Sequence, residues 1–256
     1  MTTALIGFTG FVGSILLQQT SFDALYNSKN IEEIQGKHYS QVVCAGAPAV
    51  KWKANQDPEA DWDNLSRLMS YLSQVQADEF ILISTVDVYQ KPIGVDEDSA
   101  IAVENAQAYG KHRYFLEEFV RKQFSRHFIV RLPGLFGKGL KKNFIFDLMN
   151  ENCLHLTDYR SVFQFYDMSR LWNDLSIVRE AGVGTINFAT EPVSAEEVAT
   201  VCFDRVFRNE TDNPSIKYDM HSKHASLFEG YSVYMTSKQE VLTQIKTFQS
   251  EELRKS

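Results

Sequence analysis

Ala4-Leu5-Ile6-Gly7-Phe8-Thr9-Gly10-Phe11-Val12-Gly13-Ser14-Ile15-Leu16-Leu17 is the stretch on which the reading of the whole chain turns. Three apolar residues make a short strand, and Gly7, Gly10 and Gly13 follow at three-residue spacing before an apolar helix sets in over 12–19. In a strand-turn-helix of this kind the first glycine permits the tight bend and the second lets backbone amides approach a pyrophosphate. The third lets helix and strand pack closely, while the helix N-terminus favours negative charge. Gly7, Thr9, Gly10, Phe11, Val12 and Gly13 are therefore candidate cofactor-binding residues.

Outward from this turn, short apolar runs at 24–26, 41–44, 80–84, 128–132 and 185–188 read as buried strands, like 4–6 itself. Between them, 61–74, 110–122 and 195–207 carry apolar residues at three- and four-residue spacing. Ser194 is a natural N-cap for the last, with Glu197 completing a capping box. Strands alternating with helices predict an α/β fold, a Rossmann-type doubly wound parallel sheet covered on both faces. No repeat, low-complexity tract or linker marks a domain boundary, so one compact unit is the simplest reading. Within it, 1–137 is expected to form the dinucleotide-binding core, with 160–190 returning to it. Residues 138–159 and 191–256 are expected to form a small C-terminal substrate lobe, its tail carrying Tyr218, Phe228, Tyr231 and Tyr234 and closing in a helix.

The composition narrows the function. A chain of 256 residues with 44% hydrophobic content can bury a full core, and a net charge of -7 gives no field to gather nucleic acid or anionic lipid. No apolar run approaches the ~20 residues a membrane span needs, and no basic leader precedes the first strand. Cys44, Cys153 and Cys202 are widely spaced, lack metal-ligand spacing and read as small buried apolar residues, so no metal is expected. Unpaired thiols and the missing leader predict a cytoplasmic protein.

Further segments carry a resemblance. The GxxGxxG turn, Val42-Val43-Cys44-Ala45-Gly46-Ala47, Phe80 to Thr85 followed by Val86-Asp87-Val88-Tyr89, Ala108-Tyr109-Gly110-Lys111-His112-Arg113 with Glu117, Arg131-Leu132-Pro133-Gly134-Leu135-Phe136-Gly137, Gln164 to Met168 and Ile186 to Ala189 follow in an order and spacing that resemble the extended short-chain dehydrogenase/reductases, the sugar-nucleotide epimerases, dehydratases and reductases. The resemblance covers the chain to about Val206. It implies Ala45, Gly46 and Ala47 beside the adenosine ribose, Pro133 near the nicotinamide, and Thr85 and Tyr109 at the reacting centre. In the family a Lys four residues after the Tyr favours the phenolate; here Arg113 stands one helical turn on, the same face with a different cation. Thr85, Tyr109 and Arg113 are thus the candidate catalytic residues. They imply hydride transfer at a hydroxyl or keto group of a nucleotide-linked sugar, with Tyr109 moving the proton and the nicotinamide the hydride. The alternative is a non-catalytic NAD(P)-binding or sensor protein in which Arg113 marks a degenerate site.

A site that prefers NAD places an acid about twenty residues after the glycines. Here Asn27, Ser28 and Lys29 follow the second strand, Asp23 comes early, and hydroxyl and ammonium suit a 2'-phosphate, so NADP is favoured over NAD. The acid that follows the catalytic Thr in the family's dehydratases is missing after Thr85, which leaves reductase or epimerase. Asp87, Lys138, Lys142 and Asn143 are substrate-binding candidates, the lysines for a diphosphate. By analogy with the family, the helices at 61–74 and 109–122 would pair in a homodimer.

Overall fold

The computed structural model describes residues 2–212, 214–230 and 232–254, so Tyr231 lies outside the described residues. In chain order it runs β1 (Thr3–Ile6), α1 (Phe11–Gln19), β2 (Ala24–Tyr26), β3 (His38–Cys44), α2 (Lys51–Gln56), α3 (Pro58–Leu72), β4 (Gln76–Thr85), β5 (Ile93–Val95), α4 (Ala108–Gln123) and β6 (His127–Leu132). There follow β7 (Gly134–Phe136), α5 (Phe144–Asn150), β8 (Val162–Phe163), β9 (Phe165–Asp167), α6 (Leu171–Ala181), β10 (Thr185–Asn187), β11 (Val193–Ser194), α7 (Ala195–Phe203), β12 (Asp219–Met220) and α8 (Lys238–Leu253).

Two compact units share the chain. The first holds Met1–Gln90, Ala100–Arg131 and Trp172–Ile186, the second Lys91–Ser99, Leu132–Leu171 and Asn187–Ser256. This division differs from the expected boundaries, and strand pairing is the reason. β7 pairs with β9, which takes 132–137 and the 160s into the second unit, and β5 pairs with β12, which takes 91–99 there too.

The first unit is built on a six-stranded sheet in the order β10-β6-β4-β3-β1-β2, made of the six strands the sequence predicts. β1 pairs in parallel with both β2 and β3, and β3 with β4. The chain leaves β1 for β2 on one side and returns to β3 on the other, so the strand order reverses at β1/β3, where open α/β sheets bind their ligands. β2 is an edge strand. Only eleven residues join it to β3, enough for the 3-10 turn Ile31–Ile34 but not for another helix and strand. Val42, Phe80, Leu82, Ile129 and Ile6 from the strands meet Leu65, Leu72, Leu116 and Val120 from α3 and α4 in one buried cluster. At roughly 1.5–3 kcal/mol for each large apolar side chain removed from water, this contact fixes where α4 lies.

The second unit has its own core, in which Phe136, Phe144, Phe165, Val198, Val241 and Ile245 are buried together. Gln164 is buried there, donating to the carbonyls of Thr190 (2.5 Å) and Met220 (2.8 Å) and accepting from the Met220 amide. The capping box of α7 forms as expected, Ser194 accepting from Glu197 N–H and Glu197 from Ser194 N–H. The helix ends at Phe203, short of 207, because Asp204 takes a left-handed conformation. Cys44 and Cys202 are buried as expected, whereas Cys153 is exposed, in a left-handed position beside a 3-10 turn.

Candidate functional site

The glycine turn forms around close backbone approach. Gly7 has φ +86°, open to glycine at little cost, and its N–H donates to the Tyr26 carbonyl at 2.7 Å. A Cβ on Gly7 would fall on the Ala45 carbonyl, and one on Gly13 would fall on the Gly7 carbonyl, both far inside contact distance. Gly46 stands beside the Ile6 side chain, where a Cβ would lie 2.9 Å from its γ-methyl. The carboxyl ends of β1 and β3 therefore form one close-packed backbone cradle, with the Ile6 side chain against Gly46. The N-cap of α1 is Gly10, which has no side chain to satisfy the first-turn amides. Bare amides at a helix N-terminus, reached over glycines, are a phosphate-binding arrangement. The residues present fit the pyrophosphate of a dinucleotide.

Beyond β2, Asn27 and Asn30 tie the turn, Lys29 N–H donating to Asn27 Oδ1 and Asn27 N–H to Asn30 Oδ1, both at 2.8 Å. This leaves the Ser28 and Lys29 side chains exposed at the carboxyl end of the strand. Asp23 lies at the other end, accepting from the N–H and hydroxyl of Thr3 at 2.7 and 3.0 Å.

Thr85, Asp87, Tyr109 and Arg113 come together in the first unit. Thr85 closes β4, and its Oγ1 accepts from the Asp87 N–H at 3.2 Å. Tyr109, in the first turn of α4, is 8% exposed. Burial raises its phenol above the ordinary tyrosine range, Arg113, Thr85 and Lys51 pulling it down and Asp87 pushing it up. At neutral pH Tyr109 is therefore a protonated donor. Its position depends on Gly110, where a Cβ would collide with the Asp87 carbonyl, so α4 presses directly on the Val86–Val88 turn.

Arg113 is 3% exposed and heavily committed. It makes a two-pronged pair with Asp61 of α3, at 2.5 and 2.8 Å, and donates to the carbonyls of Tyr109 (3.2 Å) and Pro48 (2.5 Å). Its guanidinium carbon lies 4.0 Å from the centre of the Tyr109 ring, a cation over a π face. Of its donors, Nε alone is buried without a hydrogen-bond partner. Burial pushes the Asp61 carboxyl up, but hydrogen bonds from Arg113 and His112 (Nδ1 to Oδ2, 2.8 Å), with their charges, outweigh it and hold it below the usual range.

Two residues of this cluster escape sequence reasoning. Lys51, at the start of α2, places its Nζ 2.7 Å from Asp87 Oδ1. Asn55, one turn later, accepts from Tyr109 N–H at 3.0 Å and donates to Gln107 Oε1 at 2.8 Å, capping α4 from a neighbouring helix. The sequence signal for α2 is faint, since its six residues are mostly polar and its N-cap Val50 offers no side-chain acceptor. Asp61 carries a readable signal only in part: Asp57-Pro58 marks the start of α3, Asp57 accepting from Ala60 N–H at 3.1 Å. Further along α4, Glu117 is fully buried and accepts from Ser84 (2.5 Å), Arg121 (3.2 Å) and Arg131 (2.6 Å), and Arg131 reaches Tyr89 Oη at 2.7 Å. This network fastens α4 to β4 and β6.

Pro133, Lys138, Lys142 and Asn143 belong to the second unit. Pro133 is buried, and Lys138 and Lys142 are exposed. The Asn143 side chain caps α5, accepting from Phe146 N–H (3.1 Å) and donating to the Leu135 carbonyl (2.8 Å).

No family model matches the sequence, and no curated protein matches it. Among solved structures, a dTDP-4-dehydrorhamnose reductase from Clostridium acetobutylicum is similar over 99% of this chain and 100% of its own, with TM-score 0.74 and 17% identity. The dTDP-4-dehydrorhamnose reductase from Bacillus anthracis, in complex with NADP, is similar over 98% and 99%, with TM-score 0.75 and 17% identity. A UDP-glucose 4-epimerase from Thermotoga maritima, with UDP-glucose, is similar over 100% and 99%, with TM-score 0.73 and 16% identity. The chain has the α/β fold of these reductases and epimerases, end to end.

Proposed function

We propose that the chain is an NAD(P)-dependent oxidoreductase or epimerase acting on a hydroxyl or keto group of a nucleotide-linked sugar. The observation that carries this reading is the close backbone approach at Gly7 and Gly13, where no Cβ fits, at the carboxyl end of β1 on the sheet whose β4 ends in Thr85. The neighbours of this fold include a reductase in complex with NADP and an epimerase with UDP-glucose, and they support the same substrate class here.

In this reading the cradle and the N-terminus of α1 hold the pyrophosphate, and Ala45, Gly46 and Ala47 border the ribose. Ser28 and Lys29 take a 2'-phosphate, which favours NADP. The nicotinamide supplies or accepts the hydride when bound. Thr85 orients the substrate oxygen, and Tyr109, protonated at neutral pH, gives its phenolic proton to that oxygen during reduction. Arg113 serves as a fixed charge on the ring face, its fork being spent on Asp61.

A thermal-shift titration with NAD, NADP and their reduced forms tests the reading, since a ligand specific to the folded state adds about 2.7 kcal/mol of stability at 100 times its dissociation constant. NADP(H) is expected to stabilise more than NAD(H), and Tyr109→Phe to keep that binding while losing NADPH oxidation with a dTDP- or UDP-linked 4-keto sugar. Binding without turnover in the unaltered protein would favour the sensor reading. No stabilisation by any of the four would end the dinucleotide assignment.

A further inference from the structure

We propose that Arg131, paired with Glu117, is the positioning residue of the reacting centre: the pair staples both ends of the 84–89 segment to α4 and so sets Thr85 against Tyr109. The proposal rests on the function assigned above for its kinetic consequence alone.

Thr85 and Tyr109 stand on different elements, the end of β4 and the first turn of α4. A reacting constellation works only when its groups are held within about 0.5 Å of their places, so β4 has to be fixed against α4. Local contacts do part of this. The Asp87 N–H donates to Thr85 Oγ1, the Tyr89 N–H donates to the Val86 carbonyl at 3.1 Å, and Gly110 lets α4 lie against the Asp87 carbonyl. Ser84 and Tyr89, which flank the turn, are held from further along α4 and from β6.

Glu117 lies about two helical turns beyond Tyr109. Its Oε1 accepts from Ser84 Oγ at 2.5 Å, at the head of the turn. Its carboxylate also takes the Arg131 fork, Nε at 3.0 and 3.3 Å and Nη2 at 2.6 Å. The remaining arm of that fork, Nη1, donates to Tyr89 Oη at 2.7 Å, at the foot of the turn, with the guanidinium carbon 5.0 Å from the Tyr89 ring centre. One ion pair thus holds the residue before Thr85, the residue that ends the turn, and the helix that carries Tyr109.

Both charges are out of water, Glu117 being 0% exposed and Arg131 2%. Such a pair adds little stability over an apolar pair of the same volume, because desolvation offsets the attraction. What it supplies is direction, since a planar fork fixes angles that methyl groups leave free. Arg121 also donates to Glu117, at 3.2 Å, so the carboxylate keeps one cation when Arg131 is altered.

The test is amide hydrogen exchange, read by NMR in the unaltered full-length protein, Arg131→Lys and Ser84→Ala. Lysine keeps a charge beside Glu117, but one ammonium in place of the fork does not span Glu117 and Tyr89 in the same geometry. Ser84→Ala removes the other tie and leaves the ion pair whole. The Asp87 and Tyr89 amides report the turn. Those of Asn27 and Lys29, in the turn after β2, report a part of the same unit outside the staple. Arg131→Lys is expected to speed exchange at Asp87 and Tyr89 by about tenfold, as for a lost hydrogen bond to a charged group. Ser84→Ala should act in the same direction, and Asn27 and Lys29 should keep their rates in both variants. Unchanged rates at Asp87 and Tyr89 overturn the proposal, as does an equal rise at all four amides, which would make the pair a general stabiliser. Should Arg131→Lys not fold, Ser84→Ala decides by the same criteria. If the protein turns over a nucleotide-sugar, Arg131→Lys should lower kcat by at least about tenfold with little change in KM; a kcat that holds while the turn loosens would overturn the proposal as well. Failure of the dinucleotide reading appears separately, in the thermal-shift titration, and leaves the exchange result standing.

Discussion

Asp61 shows how much of this cluster is decided by a residue of a neighbouring helix. It holds Arg113 over the Tyr109 ring and accepts from His112 as well, in a place where its own side chain is 5% exposed. Removing one partner of a buried pair leaves the other uncompensated, so Asp61→Asn is expected to cost about 3–5 kcal/mol at neutral pH, measured by urea unfolding. The pH dependence follows from the depressed carboxyl. Its stabilisation is complete above the unfolded carboxylate's range near ~4 and is lost as pH falls through the lower folded value. The gap between the unaltered protein and Asp61→Asn should therefore be full above the ordinary carboxylate range near ~4 and narrow as pH falls below it; a gap that ignores acid pH would remove Asp61 as the titrating partner. The placement of Thr85, Tyr109 and Arg113 is legible because each sits in a local pattern, a strand end or a helix start. Asp61 and Lys51 are illegible for the converse reason. Each meets its partner across more than thirty residues of sequence, and nothing local to 51 or 61 encodes the carboxylate or guanidinium that the fold brings to it.

At the scale of elements, the six strands of the central sheet are legible because buried parallel strands are continuous apolar runs bounded by turn residues, whereas their order in the sheet is set by the crossovers. The two- and three-residue strands of the second unit are illegible: β8, β11 and β12 carry two residues each, too few for any periodicity. They are fixed by long-range bonds such as those of Gln164. The first turn of α4 bears on the Val86–Val88 turn through Gly110. Gly110→Ala would gain helix propensity in isolation but force α4 off that turn, with a net loss of about 1–3 kcal/mol. Calorimetry reads the loss. A variant as stable as the parent would show that α4 does not need that approach.

Across the whole molecule, the thiols report which parts of the two units are sealed. Burial pushes Cys44 and Cys202 up to about 11, so both are poor nucleophiles at neutral pH, and Cys153 is exposed. Ellman's reagent should titrate one of the three thiols in the native protein. Cys202 also donates to the Leu242 carbonyl at 3.3 Å and lies in the core that Val241 and Ile245 of α8 complete. A chain ending at 237 should expose a second reactive thiol, and continued protection of Cys202 there would mean that α8 is dispensable for that core. Among the described residues no helix is long and apolar enough to cross a membrane.

The chain passes between its units at Gln90, Ser99, Arg131, Leu171 and Ile186. On the ribosome this interleaving sets a timetable. The sheet begun by the third residue waits for its last strand until residue 187, and the second unit, opened at Lys91, waits for α8 at 253. At about 5–20 residues per second, the nascent sheet spends on the order of ten to forty seconds without that strand. Early helices and strands must stay in solution unaided for that interval, and the polar outer faces of α3 and α4 are what the growing chain has to shield them with.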